Sequence, residues 1–299
     1  MRIGCRANGA GPLTGPISYA VTVAVPTLCL MTTLEPHTIG EAADRLAAAA
    51  RTRQPCSPVR DLIGRDDIAS AYRIQSRNID ALLASGRTVV GRKIGLTSPA
   101  VQRQLGVDRP DFGVLLDDMD CTGAGPLDIT RVLQPKIEAE IAVILDVDVT
   151  EELTAERAPD VVSTVFAAFE IVDSRIADWD ISLADTVADN ASSGLFVLGD
   201  SVPRVDAPDL ASVAMTLTAD GVEVSTGRGS DCLGSPWNAL VWLANTCIEF
   251  GAPLRAGDIV LTGALGPMVP VAPGSTYTTT ISGIGTATAT FTHRPEEDR

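Results

Sequence analysis

The chain predicts an α+β fold, a mixed β-sheet that is rolled or closed into a barrel, preceded by a small helical region. Three observations carry this. Sustained helical periodicity opens the chain between Thr38 and Leu83. Short β-type runs crowd the stretch from Thr88 to Phe291. Strands and helices do not alternate there as a doubly wound parallel sheet requires. The expected organisation is an extension over 1–31, a helical N-terminal region over 32–87, a β-roll domain over 88–292 and a tail over 293–299.

Residues 1–31 combine Gly and Pro clusters with an apolar run from Ile17 to Met31 that Pro26 interrupts. Arg2 and Arg6 ahead of that run imitate a signal peptide, but no small-residue cleavage site follows, and the run is too short to span a membrane. The expectation is that Met31 is the working start, with a signal peptide or a disordered arm as alternatives. Thr38 reads as a helix cap with Glu41 as its capping-box partner, and Ala42, Leu46 and Ala49 recur at helical spacing. A second helix is expected from Ile68 to Leu83, with Ala71, Ile74, Ile79 and Leu83 as its apolar stripe and Ser85-Gly86 as its stop. Strands follow at Thr88–Val90, Ile137–Leu145, Phe196–Leu198, Ala214–Thr218, Val222–Ser225, Ile259–Leu261, Tyr277–Ile281 and Thr286–Phe291. Helices are expected between them at about 158–168 and 236–250.

The composition excludes several functions. The 299 residues are 45% hydrophobic and 20% charged, with a net charge of −15. Nucleic acid and anionic membrane surfaces both need a positive footprint, so neither is an expected partner. Two histidines, His37 and His293, leave little material for a catalytic triad or a His-rich zinc site. The six cysteines show no CxxC and read as reduced thiols of a cytoplasmic protein. No complete GxGxxG, Walker loop or GxSxG is present. All but two of the 23 cations are arginine, the exceptions being Lys93 and Lys136. Lysine can release a proton near neutral pH and arginine cannot, so a lysine kept in such a chain is a candidate proton carrier.

The most informative segment is Lys136-Ile137-Glu138-Ala139-Glu140-Ile141-Ala142-Val143. On a strand, Ile137, Ala139, Ile141 and Val143 share one face, and Glu138 and Glu140 share the other, about 7 Å apart. Buried together, two ionised carboxylates repel each other and lose hydration, and a cation between them removes both penalties. The alternative is an exposed edge strand with two solvated glutamates. Glu170 and Asp173 stand in a second apolar stretch. If Glu170 joins Glu138 and Glu140, the ligand set is all oxygen and selects Mg2+ or Mn2+. Asp173 and Arg175 are expected to form a structural ion pair. Gly91-Arg92-Lys93-Ile94-Gly95-Leu96-Thr97-Ser98 reads as a strand end turning into a helix near Ser98, a geometry suited to an anion. Asp185–Gly194, with Asp189, Asn190 and Ser192, either lines a pocket or caps a turn.

These blocks occur in a telling order: GRKIGLTS, VDRPDFGVLLDDM, QPKIEAEIAVIL, FEIVDSRIADW, DTVADNASSG, GRGSDCLG and LTGALGPMV. Over roughly Val59 to Phe291 the chain resembles the 2-keto-4-pentenoate hydratase family, within the fumarylacetoacetate hydrolase superfamily. Two sister groups share single blocks. The decarboxylases usually place Pro between the two metal glutamates, where this chain has Ala139. The dicarboxylate hydratases usually read Asn-Ala where Ser192 and Ser193 stand.

The resemblance implies a mixed β roll of the fumarylacetoacetate hydrolase C-terminal type. It implies Glu138, Glu140 and Glu170 as ligands of Mg2+ or Mn2+, and Lys93 and Asp111 near the reacting carbons. Leu96, Thr97, Asp189, Asn190 and Ser192 would line the substrate pocket. The implied reaction is addition of water to 2-hydroxypenta-2,4-dienoate to give 4-hydroxy-2-oxopentanoate, in meta-cleavage catabolism of aromatic compounds. A metal acting as Lewis acid on the 2-oxygen, and a lysine of lowered pKa paired with an aspartate, suit that chemistry. Which group activates the water is open. A small 2-hydroxydienoate or 2-oxo acid substrate, a homo-oligomeric state and association with a downstream aldolase or decarboxylase are the expected partners. The competing readings are a 4-oxalocrotonate-type decarboxylase or other 2-oxo acid enzyme of the superfamily, and a non-catalytic accessory subunit.

Overall fold

The computed structural model describes residues 35–98, 102 and 109–293. The extension expected over 1–31 and most of the helix expected from Ser98 lie outside them. Three helices come first: α1 (Pro36–Thr52), α2 (Arg60–Ile63) and α3 (Ile68–Ala84). Helix α1 starts ahead of the expected Thr38 cap. Pro36 stands in the first turn with its φ already helical, and the Thr38 N–H donates to the Glu35 carbonyl at 3.0 Å, so Thr38 lies inside the helix. Asp67 caps α3 by accepting from the Ser70 N–H at 2.9 Å. Ile39, Leu46, Val59, Ile63 and Ile74 of this region pack on Ile176 and on Ala184 and Val187 of α4 (Leu183–Ala188).

Eleven strands are described: β1 (Val89–Gly95), β2 (Asp111–Leu116), β3 (Lys136–Leu145), β4 (Val162–Val172), β5 (Ser193–Pro203), β6 (Ala214–Ala219), β7 (Val222–Arg228), β8 (Ile259–Ala264), β9 (Val269–Pro270), β10 (Thr276–Ile281) and β11 (Gly285–Thr290). The larger sheet runs β2-β1-β8-β3-β4-β5, with β9 also against β3. Its β1–β8 pair is parallel and its other pairs are antiparallel. The smaller sheet, β11-β10-β6-β7, is antiparallel. The larger sheet curls until its ends meet at a single bridge, Asp120 to Phe196, where the Cys121 N–H donates to the Phe196 carbonyl at 2.9 Å. It is therefore a roll, and among the described residues it does not close into the barrel that was the other expectation.

The main core lies between the inner face of β3 and β4, the smaller sheet and helix α5 (Pro236–Glu249). Ile137, Ile141, Val165 and Phe169 meet Leu240, Leu243, Leu217 and Tyr277 there. Each such side chain contributes roughly 1.5–3 kcal/mol by leaving water. Strand β1 runs on to Gly95, past the expected end at Val90, because β2 pairs it on one side and β8 on the other. The helix expected at about 158–168 is instead one short 3-10 turn, Ala158–Val161, followed by strand β4. Val162, Thr164 and Val165 are β-branched, and the segment pairs with β3 and β5 on both edges, which outweighs a weak helical periodicity.

Candidate metal centre and active site

Glu138 of β3 stands directly opposite Glu170 of β4, and Glu140 lies two residues along β3 on the same face. One oxygen from each lies within 4.8 Å of the others. Strand β3 is central, paired with both β4 and β8, so it is not a solvated edge. Glu140 and Glu170 are fully buried and Glu138 is half-buried. Glu140 Oε1 and Glu170 Oε2 have no hydrogen-bond partner. Burial and mutual repulsion together push the carboxyls of Glu138 and Glu140 upward. Glu138 is raised to about 7, by burial first and then by Glu170, and Glu140 goes well above the carboxylate range for the same reasons. Buried, unpartnered, all-oxygen donors at this spacing fit a hard divalent cation such as Mg2+ or Mn2+.

The backbone supplies the orientation. Opposite Glu140 the pairing of β3 with β8 slips, Glu140 facing Ala264 and Ala142 facing Leu261, which leaves Thr262 and Gly263 as a bulge. The Gly263 N–H leaves the ladder and donates to Glu140 Oε2 at 2.9 Å. Gly263 holds φ +110°, and a Cβ there would overlap the side chain of Thr97. Thr97 is buried at this point, after Leu96 has turned the chain through φ +58°. Leu96 and Thr97 thus follow Lys93 as expected, and Thr97 packs against the segment that aims Glu140.

Lys93 sits inside β1 rather than in a turn after it, opposite Gly113 of β2 and beside Leu261 of β8. Its Nζ lies 3.0 Å from Glu170 Oε1, and both side chains are buried. Burial by itself would lower the Lys93 pKa. Glu170, Asp111 and Glu138 outweigh that, so without a metal the net shift is upward. Asp111, at the start of β2, pairs with Gly95. A Cβ on Gly95 would overlap Asp111 Oδ1 and stand 3.6 Å from Lys93 Nζ, so the two groups converge over a glycine that makes room for them. Asp111 is pushed up to about 6, by burial first, against the pull of Lys93. Its Oδ1 is buried without a partner.

The Asp189–Ser192 stretch is occupied by protein partners. Asp189 pairs with Arg175, Nε to Oδ1 at 2.6 Å, so the Asp173–Arg175 pair expected from sequence does not form. Asp173 instead accepts from the Leu133 and Gln134 N–H groups at 2.7–3.0 Å. The Asn190 side chain accepts from the Val114 N–H at 2.8 Å and donates to the Val114 carbonyl at 2.9 Å. Ser192 Oγ lies 3.3 Å from Thr186 Oγ1. Asp189 and Asn190 also line a cavity of about 710 Å³ beneath α1 and α3, whose lining does not include the three glutamates. Sequence reasoning took Gly95 as part of a turn and assigned no role to Gly113 or Gly263. Their signal was present in the GRKIG, DFG and LTGALG blocks, where glycines interrupt β-type runs.

The model of the family described as fumarylacetoacetate (FAA) hydrolase C-terminal matches residues 109–292. A 2-keto-4-pentenoate hydratase of Paraburkholderia phymatum is 51% identical over 250 residues, covering 83% of this chain and 95% of the relative. A 2-hydroxyhexa-2,4-dienoate hydratase of Comamonas testosteroni is 41% identical over 251 residues, covering 83% and 95%. Among solved structures, a 4-oxalocrotonate decarboxylase from Pseudomonas putida G7, complexed with magnesium and adipate, superposes with a TM-score of 0.82. It is 30% identical, covering 87% of this chain and 99% of that one. The rolled sheet, its carboxylate cluster and these similarities together establish that the chain belongs to the fumarylacetoacetate hydrolase family, beside its 2-keto-4-pentenoate hydratases.

Proposed function

We propose that the chain is a divalent-metal-dependent hydro-lyase that adds water to 2-hydroxypenta-2,4-dienoate, giving 4-hydroxy-2-oxopentanoate, in meta-cleavage catabolism of aromatic compounds. The observation that carries this is the set of three carboxylates, two of them fully buried with unpartnered oxygens, facing one buried lysine. Relatives at 41–51% identity named as hydratases of such dienoates support it.

Glu138, Glu140 and Glu170 hold the cation, Mg2+ or Mn2+. When bound, it supplies Lewis-acid stabilisation of negative charge on the substrate's 2-oxygen. Lys93, held protonated by its carboxylate neighbours, places a positive charge and a donatable proton beside the reacting carbons. Asp111, raised to about 6, exchanges a proton close to neutral pH, which suits a group that must both take and return one. Leu96 and Thr97 wall the site next to Glu140. Asp189, Asn190 and Ser192 contribute by holding the surrounding backbone.

The working unit is proposed as 32–292, homo-oligomeric and cytoplasmic, in association with a downstream aldolase or decarboxylase. In support, Cys56, Cys121, Cys232 and Cys247 are unpaired thiols, and no helix among the described residues is long and apolar enough to cross a membrane. Half-buried apolar residues on the site face of the sheet, Val90, Phe166, Leu198 and Ile259, offer surface for contact. The test is the loss of diene absorbance with and without Mg2+ or Mn2+, with the product identified. The decarboxylase similarity defines the second outcome: release of carbon dioxide would replace hydration by that reaction.

A further inference from the structure

Strand β2 carries Asp111 and is the edge strand next to β1. An edge strand has outward backbone groups without a ladder partner, and its position is only as firm as whatever satisfies them. Here side chains do so. The Gln75 Nε2 group of α3 donates to the Phe112 carbonyl at 3.0 Å and to the Val187 carbonyl of α4 at 3.1 Å. The Asn190 amide takes both backbone groups of Val114. Gln75 is buried although polar, and the Tyr72 ring, one turn earlier on α3, stacks on Phe112 with centroids 4.8 Å apart.

We infer that Gln75 is a positioning residue for the reaction: it stands in for a missing strand and fixes β2 so that Asp111 meets Lys93 over Gly95. This rests on the proposed function and deepens it. Both partners of Gln75 are carbonyl oxygens, so the side chain must donate twice, and its neutral amide does so while bridging the helical region to the strand that carries Asp111. Phe112 is the very next residue, so a shift of its backbone carries Asp111 with it. Glu138, Glu140 and Glu170 lie on β3 and β4, not on the strand that Gln75 holds, so loss of the clamp should act on turnover more than on metal affinity.

The test compares Gln75→Met, which keeps the volume and removes both donors, with Asn78→Ala. Asn78 lies on the same helix but donates to Ala43 of α1 at 3.2 Å, so its loss weakens the helical packing without touching β2. The expected result is a kcat at least ten-fold lower for Gln75→Met, with KM and Mn2+ affinity within two-fold of the wild type, and an unchanged kcat for Asn78→Ala. Hydrogen–deuterium exchange supplies a readout independent of turnover: amides of Asp111–Leu116 should exchange faster in Gln75→Met and not in Asn78→Ala. If Gln75→Met is too unstable to purify, Gln75→Asn, one methylene too short to reach both carbonyls, should show the same split. A kcat loss no larger than that of Asn78→Ala, or unchanged exchange in β2, overturns the inference. Absence of diene hydration in the wild type would defeat the proposed function instead, and the exchange comparison would still decide whether the clamp exists.

Discussion

Glu140→Gln should make the metal-free protein more stable while it destroys metal binding, because the site is built at the expense of the apo fold. Glu140 is fully buried, with one oxygen held by Gly263 and the other unpartnered. At the 4.8 Å limit of the cluster, two ionised carboxylates repel by ~3.5 kcal/mol at an effective dielectric of about 20, and Glu140 faces two of them. Protonation limits that cost, since the Glu140 pKa is already driven far up. The relief from a neutral amide is therefore about 1–3 kcal/mol. Glutamine keeps an oxygen for the Gly263 N–H and presents N–H groups to the remaining carboxylates, so no new polar orphan is created. At about 2–4 °C per kcal/mol, the EDTA-treated variant should melt roughly 2–12 °C above the EDTA-treated wild type. Titrated Mn2+ or Mg2+ should raise the wild-type Tm, by about 2.7 kcal/mol of stability at a hundredfold excess over Kd, and leave the variant almost unmoved. Calorimetry in both buffers checks this. A variant that melts below the wild type without metal, or still responds to metal, would refute the account of the cluster as a repulsive cage awaiting a cation.

Other predictions follow from the same geometry. Gly263→Ala combines a positive φ with overlap on Thr97, and should cost about 2–5 kcal/mol and weaken Mn2+ binding, measured by denaturation and calorimetric titration. Lys93→Arg keeps the charge but cannot release a proton and is too bulky for the space over Gly95; kcat should fall on the order of 10²–10⁴-fold with metal affinity nearly unchanged, measured by steady-state kinetics and metal titration. Asp111 and Glu138 have folded pKa values of about 6 and 7, above their unfolded ones, so between about pH 4 and 7 the folded metal-free protein binds more protons than the unfolded chain. Its stability should therefore rise as pH falls from 7 to 5, and Asp111→Asn should flatten that slope in urea titrations.

The carboxylate cluster was readable in the sequence because a strand has a strict period of two. Glu138 and Glu140 share a face opposite Ile137, Ala139 and Ile141, whereas Glu170 stood beside Asp173 in its apolar stretch and was singled out as the third partner by the family resemblance. Register across strands has no comparable local signal. That Glu138 faces Glu170 follows from how β3 and β4 pair, and the helix expected at about 158–168 covers the first part of β4. The turn assigned to Lys93 failed for a related reason. Gly91 and Gly95 look like strand punctuation in one dimension, yet a Cβ on Gly91 would overlap the Ile259 backbone of β8, and one on Gly95 would overlap Asp111. They are glycines of close approach inside a strand.

The Asp173–Arg175 expectation shows how far proximity along the chain can mislead in a buried setting. Asp173 is buried, and it is satisfied by the Leu133 and Gln134 N–H groups, which close the loop entering β3. Arg175 is left free to reach Asp189 and the carbonyls of Asp189 and Ser193. That fastens the end of α4 to the start of β5, while Asn190, the next residue, fastens the same turn to β2. The block of small polar residues from Asp185 to Gly194 thus does structural work on three sides, against the helical region, the end of β4 and the outer edge of β2. Asp185 accepts from the Val59 and Arg60 N–H groups at 2.9 Å, and Asn190 and Gln75 bond the same outward edge of β2, at Val114 and Phe112. Strand β1 holds one edge of β2 and side chains hold the other, and side chains that hydrogen-bond backbone leave no periodic trace in the sequence. The carboxylates that cluster were therefore legible, and the side chains that hold the surrounding strands were not.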